Sequence, residues 1–196
     1  MTMTVSDDGL RRLISREGCV LTAYRDGVGT WTIGVGHSAL APTPPRPAPG
    51  MTITGAEAEA ILRADLAAFE GPMNAAMRRR PTQRQWDAMV SLAFNIGIGG
   101  FLNSTVLRKF NLGDPIGAAD AFLMWSRPPV LRERRIAERA QFLEGAPAAS
   151  APATARKLGH AATGAGLVVA TAGAVVRPRS VPSAVTRATG GSPLAF

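Results

Sequence analysis

The hydrophobic and polar positions of this chain follow two periods, and the change between them divides it. An early stretch carries Leu10, Leu13 and Ile14 at helical spacing and predicts a short helix that ends before Gly18. Residues 20–33 are instead rich in glycine and in β-branched and aromatic residues. This second pattern predicts a small antiparallel sheet with tight turns.

Beyond this sheet, apolar residues recur every three or four positions, so helices dominate. Capping residues, glycines and prolines predict the boundaries: starts at Thr54, Thr82, Asp114-Pro115 and Pro128-Pro129, an interruption at Gly71-Pro72, and a final stop at Gly145. The helix with the strongest apolar stripe runs from Trp86 to Phe94 and should be central. For the last helix we expect an apolar side made of Val130, Leu131, Ile136, Ala140, Phe142 and Leu143.

These elements predict an α+β fold that is mainly helical. We expect a small N-terminal antiparallel sheet lobe, a larger C-terminal helical lobe and a cleft between them. Residues 1–146 should form this domain, and residues 147–196 an Ala/Pro/Gly-rich basic tail. Within the tail, residues 161–176 are uncharged but shorter than the roughly 20 apolar residues of a spanning helix. A membrane-associating segment and an unpacked tail both remain open.

The composition narrows the classes of function. The net charge is +8, and five of these charges lie beyond Glu144, which leaves +3 on residues 1–144. A basic protein suits nucleic acid, an anionic membrane or an acidic polymer, but no nucleic-acid-binding motif is present. The single cysteine, Cys19, excludes an internal disulfide and should be a small buried hydrophobe. The N-terminus lacks a signal-peptide pattern, which predicts synthesis in the cytoplasm.

Candidate chemistry concentrates in one stretch. Glu17 lies at the predicted helix end, and Asp26 and Thr32 lie on the predicted sheet. Glycoside hydrolysis needs one carboxyl group that donates a proton and one that handles water or the oxocarbenium-like centre. The negative end of the helix dipole suits Glu17 to the acid role, and a polar turn suits Asp26 to the base role. Thr32 would help to hold the water.

The sequence around these residues resembles the phage-type lysozymes, the endolysins of glycoside hydrolase family 24. The resemblance rests on E-G, Y-R-D and W-T-I-G-V-G-H near the N-terminus, then on T-Q-x-Q-x-D-A, F-N-I-G and G-x-F-x-x-S-T-x-L in the same order. It covers roughly residues 10–145. It implies that Glu17, Asp26 and Thr32 form the catalytic triad of a muramidase that cleaves peptidoglycan.

The resemblance also implies roles for residues outside the triad. Its sugar-contacting positions correspond to Phe94 and Ser104 and, less closely, to Asn95 and Asn103, although Phe94 could equally be a core aromatic. It implies that His37 is structural and that an arginine of the last helix faces Glu17. By position after the tryptophan, Arg132 and Arg135 are the candidates, with a solvated basic face as the alternative.

The sequence therefore predicts a monomeric lysozyme that needs no cofactor or metal and acts on the cell wall or periplasm. Its partner would be peptidoglycan rather than nucleic acid. Two other hypotheses stay open: a non-catalytic peptidoglycan-binding scaffold of the same fold, and a tail that perturbs membranes by itself. Inversion and retention of the sugar configuration also remain open.

Overall fold

A computed structural model describes residues 2–145 of the chain. The predictions for the tail at 147–196, including the uncharged segment 161–176, lie outside the described residues, and the domain boundary at 146 stays a prediction. Among residues 2–145, none of the helices combines the length and hydropathy that crossing a membrane requires.

The described chain consists of one small sheet and seven α-helices. In order these are α1 (Asp7–Glu17), β1 (Val20–Arg25), β2 (Trp31–Gly34), β3 (His37–Ser38), α2 (Gly55–Ala76), α3 (Gln83–Ile96), α4 (Ile98–Leu102), α5 (Thr105–Asn111), α6 (Pro115–Phe122) and α7 (Arg132–Glu144). Two 3₁₀ turns, Leu123–Trp125 and Pro129–Leu131, join α6 to α7. The predicted class, α+β and mainly helical, is confirmed.

The sheet is antiparallel, with strand order β1-β2-β3. Thr32 on β2 pairs with Tyr24 on β1 and with Ser38 on β3, so it occupies the central strand. The turn between β1 and β2 is closed by the N–H of Asp26, which donates to the carbonyl of Thr30 at 3.0 Å. This turn therefore brings Asp26 close to the strand that carries Thr32, six residues further along the chain.

Helix α3 is the centre of the helical part, as its apolar stripe predicted. All its residues from Gln85 to Ala93 are buried, and it packs against α1, α2, α4 and α7. A capping box at its start, in which Thr82 and Gln85 exchange hydrogen bonds, fixes where it begins. Since α1 and α7 both pack on α3, residues of these two helices can meet across it.

Helix α2 corrects one prediction. Gly71 and Pro72 do not interrupt it, because it continues as one helix of 22 residues with Pro72 inside. Proline removes one backbone hydrogen bond and usually kinks a helix. Here Leu66 and Met73, one on each side of the proline, are both fully buried in the core. Their burial offsets the lost hydrogen bond. The helix contacts the sheet as well as α3 and thus links the two parts of the fold.

Helix α7 corrects the prediction of its apolar side. Of the side predicted to be apolar, Val130 is 81% exposed and Ile136 is 39% exposed. The helix buries Phe142 together with three polar residues, Arg135, Glu138 and Gln141. This inward polar face is paired with polar groups of α1 and α3 and belongs to the site described next.

Candidate functional site

Glu17 is the last residue of α1. Gly18 caps the helix with φ 79°, a conformation that suits glycine, and its N–H donates to the carbonyl of Ile14. The helix therefore ends at Glu17 and turns at once into the sheet. The side chain of Glu17 is 23% exposed, and its Oε1 lies 2.6 Å from Nη2 of Arg134.

The arginine that reaches Glu17 is Arg134, and neither of the two predicted arginines does so. Arg132 is exposed at the start of α7. Arg135 points inward, where it donates to Glu138, to the side chain of Asn95 and to the carbonyl of Trp125. Counting residues after the tryptophan could not locate the contact, because two 3₁₀ turns set the rotation at which α7 begins.

Asp26 is fixed by its own turn. Its Oδ1 accepts hydrogen bonds from the backbone N–H groups of Val28 at 3.0 Å and Thr30 at 2.8 Å. Its Oδ2 lies 3.5 Å from the hydroxyl of Thr32, which also donates to the carbonyl of Thr30 at 3.3 Å. Thr32 is almost fully buried. One carboxylate oxygen is thus used structurally, and the other is shared only with a hydroxyl.

His37 is buried at the edge of the sheet between two acceptors. Its Nδ1 lies 2.9 Å from a carboxylate oxygen of Asp65 on α2, and its Nε2 lies 2.7 Å from the carbonyl of Pro45. Thr43 donates to the same carboxylate at 2.7 Å. These contacts fasten the proline-rich loop and the sheet to α2.

The residues predicted to contact sugar lie at different places. Phe94 is half-buried, and its ring centroid is 5.7 Å from that of Phe69. Asn95 is exposed and accepts a hydrogen bond from Arg135. Ser104 is buried and caps α5, where its hydroxyl accepts from the N–H of Leu107.

An open groove of about 540 Å³ lies between the end of α2 and α5. Asn103 and Ser104 line it, together with the exposed Arg78 and Arg108. Phe94 and Asn95 do not line this groove. The structure thus separates the four candidate residues into two pairs.

A cluster of polar side chains behind Glu17 was missed by the sequence analysis. We call it the α7 network: Arg16, Ser91, Arg134, Arg135, Glu138 and Gln141. Ser91 donates to Glu138 at 2.7 Å, Arg134 contacts Glu138 at 3.0 Å, and Arg16 donates to Ser91 at 3.1 Å and to Gln141 at 2.7 Å. The i,i+4 spacing of Arg134 and Glu138 was the one available signal, and it is equally typical of a solvated helix face.

The charges of the α7 network affect two arginines in opposite directions. Burial lowers the pKa of Arg134, but the hydrogen bond to Glu17 and the charges of Glu138 and Glu17 outweigh burial and raise the pKa above its ordinary value. Burial lowers the pKa of Arg16, against the attraction of Glu138, and the positive charge of Arg134 adds to the lowering. Arg134 therefore stays charged beside Glu17.

Cys19, two residues after Glu17, is exposed. The prediction of a buried cysteine was wrong, because Cys19 and most of β1 lie on the outside of a small sheet with little to cover it. Within residues 2–145, no group of three or more histidine, cysteine or acidic side chains is arranged to hold a metal ion.

Comparisons with known proteins identify the family of this chain. The model of the phage lysozyme family matches residues 14–138. The endolysin of Salmonella phage P22 is 43% identical over 145 residues, which is 72% of this chain and 99% of that protein.

Two solved structures share the fold. A crystal structure of a mutant of the P22 lysozyme is 44% identical and covers 72% of this chain and 99% of its own, with a TM-score of 0.67. The muramidase domain of SpmX from Asticaccaulis excentricus is 35% identical and covers 71% of this chain and 97% of its own, with a TM-score of 0.63. The chain belongs to the phage lysozyme family.

Proposed function

We propose that this protein is a peptidoglycan hydrolase of glycoside hydrolase family 24 that cleaves the β-1,4 bond between N-acetylmuramic acid and N-acetylglucosamine and so lyses bacterial cell walls. Its place in the phage lysozyme family makes it a lysozyme-type hydrolase. The observation that carries the mechanism is the contrast between the two carboxylates. Glu17 contacts a guanidinium, and Asp26 has one oxygen that no backbone donor occupies.

In this mechanism Glu17 is the general acid. It gives a proton to the glycosidic oxygen as the bond to the anomeric carbon breaks. The ion pair with Arg134 holds Glu17 at the helix end, and a proton donor must be protonated when the sugar is bound. Substrate binding would therefore have to weaken the contact between Glu17 and Arg134.

Asp26 and Thr32 are the proposed base and its helper. The backbone N–H groups of Val28 and Thr30 hold Oδ1. Oδ2 and the hydroxyl oxygen of Thr32 are 3.5 Å apart, so one water molecule lying beside both could donate one hydrogen to each, while the proton of Thr32 stays on the carbonyl of Thr30. Asp26 would take the proton of this water as its oxygen attacks the anomeric carbon. No cofactor or metal takes part in this scheme.

The stereochemical outcome depends on how far apart the two carboxyl groups stand in the complex. A separation of about 6.5–9.5 Å leaves room for water and gives inversion, whereas about 5 Å points to a covalent intermediate. A water held between Asp26 and Thr32 favours inversion. Analysis of the anomeric form of the first product by NMR separates the two.

Phe94, Asn95, Asn103 and Ser104 are proposed to contact the substrate. The hydroxyl of Ser104 accepts from the backbone N–H of Leu107, and its own proton remains available for a sugar oxygen. The exposed Arg78 and Arg108 give the neighbouring groove a positive charge that suits the carboxylates of peptidoglycan. We propose that the protein acts as a monomer on the cell wall and that it has no nucleic-acid partner.

The bond that is cleaved can be tested directly. Purified peptidoglycan is digested and the products are analysed by mass spectrometry. A muramidase gives fragments that end in reducing N-acetylmuramic acid, whereas a transglycosylase gives anhydro products. Amidase or peptidase products would reject the proposal.

The alternative function is a non-catalytic scaffold that binds peptidoglycan. A wall suspension separates the two, because the enzyme clears its turbidity and a scaffold only sediments with it. The tail is proposed to contribute membrane association through residues 161–176. Deletion of residues 147–196 should then reduce dye release from anionic vesicles, and equal release by the shortened protein would reject this role.

A further inference from the structure

The proposed mechanism does not use Glu138, the carboxylate of the α7 network. Glu138 is fully buried, and both of its oxygens are occupied. Oε1 accepts from the hydroxyl of Ser91 at 2.7 Å and from Nε of Arg134 at 3.0 Å, and Oε2 accepts from Arg135. Burying a charge costs free energy unless it is paired and fully hydrogen-bonded, and here every partner is present.

Arg134 connects this buried carboxylate to Glu17. Its Nε contacts Glu138, while its Nη2 contacts Oε1 of Glu17 at 2.6 Å and the carbonyl of Ser91 at 3.2 Å. A guanidinium is planar and rigid, so fixing Nε also fixes the direction of the two Nη atoms. Glu138 and the carbonyl of Ser91 thus hold the guanidinium that contacts Glu17.

The two carboxylates also share the surrounding positive charge. Helix α1 contributes Arg16, with Arg12 one turn earlier, and α7 contributes Arg134 and Arg135. Helix α3 contributes the uncharged Ser91. Arg134 contacts both carboxylates, and the negative charge of Glu138 opposes that of Glu17. With Glu138 neutral, Glu17 alone would face Arg134.

We propose that Glu138 is a positioning residue, which orients Arg134 at its contact with Glu17 and places a second negative charge beside the same guanidinium. The catalytic part of this statement rests on the proposed function of Glu17. The structural part, the coupling of Glu138 to Glu17 through Arg134, does not. The two parts therefore need separate measurements.

The first measurement follows the carboxyl carbon of Glu17 by NMR as a function of pH and requires no activity. In Glu138→Gln, the amide removes one negative charge with little change in volume, and Arg134 stays bound to the carbonyl of Ser91. We expect the titration curve of Glu17 to move to lower pH by about one unit, because Glu138→Gln removes a like charge and leaves Arg134 paired with Glu17 alone. An unchanged curve or a move to higher pH overturns the proposal.

Three other variants control this experiment. Glu144→Gln makes the same substitution at an exposed position of α7 and should leave the curve unchanged. Glu138→Asp keeps the charge and should keep most of the wild-type curve, so a shift as large as that of Glu138→Gln overturns the part assigned to the charge. If Glu138→Gln does not fold, Arg134→Gln alone should move the curve of Glu17 to higher pH, and an unchanged curve overturns the proposal. In an Arg134→Gln background, Glu138→Gln should move the curve by less than half as much. A full shift in that background overturns coupling through Arg134.

The second measurement is the dependence of wall hydrolysis on pH. If Glu17 is the acid, the alkaline limb of the kcat profile in Glu138→Gln should move down by the same amount as the NMR curve. KM should stay within about two-fold, since Glu138 is buried away from any substrate. If the NMR curve moves and the activity profile does not, the positioning role in catalysis is overturned and Glu17 is not the acid, while the coupling stands.

Discussion

Asp26 and Glu17, the two carboxylates of the candidate site, are held by different kinds of contact. Asp26 is fixed by backbone N–H groups of its own turn, two and four residues further along the chain. Glu17 is held by Arg134, which α7 brings from the far end of the domain and which Glu138 holds in turn. The contacts of Asp26 come from residues close to it in the sequence and are partly exposed. The contacts that hold Glu17 instead link α1, α3 and α7 inside the core.

This difference indicates which substitutions should change catalysis without changing the free energy of unfolding. A change at Asp26 leaves the turn's backbone hydrogen bonds largely intact. A change in the α7 network leaves a buried guanidinium without its partner and should disturb the fold as well. The following predictions test that contrast.

The largest effect is expected for Glu138→Leu. It leaves Arg134 and the fully buried Arg135 without their shared carboxylate, and breaking a buried ion pair from one side costs about 3–5 kcal/mol. Urea unfolding should show this loss. The matched change Glu144→Leu, on the exposed side of α7, should cost less than about 1 kcal/mol. Equal losses in the two variants would contradict a structural role for the α7 network.

The next effect concerns Asp26→Asn. The amide oxygen can still accept from Val28 and Thr30, so the free energy of unfolding should change by less than about 1 kcal/mol. Loss of the proposed base should lower kcat by roughly 100-fold or more. Initial rates of reducing-sugar release measure this. Asp120→Asn, at an exposed surface ion pair, is the control and should keep full activity.

A smaller effect is expected for Thr32→Val, which removes the hydroxyl with little change in shape. The side chain is nearly buried on the central strand, so valine should keep the strand intact. The water would lose one of two partners, and kcat should fall by about ten-fold, or about 1.4 kcal/mol. Thr32→Ser, which keeps the hydroxyl, should retain more activity than Thr32→Val. The reverse order would exclude a role for the hydroxyl.

The smallest effect concerns a carboxylate outside the site. Burial raises the pKa of Glu70, against the hydrogen bond that the N–H of Val5 donates at 2.6 Å. The folded state then binds this proton more tightly than the unfolded chain. The contribution of protonated Glu70 to the free energy of unfolding is complete below the ordinary carboxyl pKa of roughly 4.3. It is lost as the pH rises through the raised pKa of the folded state.

Glu70→Gln should remove this dependence of the free energy of unfolding on pH. The amide keeps an acceptor for Val5, and the difference in unfolding free energy across the window should be about 0.5 kcal/mol or less, because the group is partly exposed. Urea midpoints at several pH values compare the two proteins. A wild-type stability that rises through the same window relative to Glu70→Gln would contradict the sign.

The same contrast explains what could be predicted from the sequence. The helix end at Glu17, the turn at Asp26 and the strand with Thr32 follow from glycine positions and local periodicity. Capping boxes at Thr54 and Thr82 gave correct helix starts. All these features depend on contacts within a few residues, which a sequence pattern can represent.

Tertiary contacts explain the errors. Pro72 was expected to end a helix, but core packing on both sides carries α2 through it. Arg134 was missed because the rotation of α7 depends on the 3₁₀ turns before it and on how it packs against α3 and α6. Hydrophobic periodicity correctly indicated the burial of Phe142 but missed the three polar residues Arg135, Glu138 and Gln141 that are buried with it. A charged residue buried with its partners cannot be told from a solvated one by sequence alone.

The most direct test of the central claim is Glu17→Gln, assayed by release of reducing sugars from purified cell walls. The glutamine can still accept a hydrogen bond from Arg134 but cannot donate an acidic proton. The rate should fall by at least about 1,000-fold, and the thermal midpoint should be nearly unchanged. Turnover within ten-fold of the wild type, in a variant that is folded and binds the wall, would show that Glu17 is not the acid.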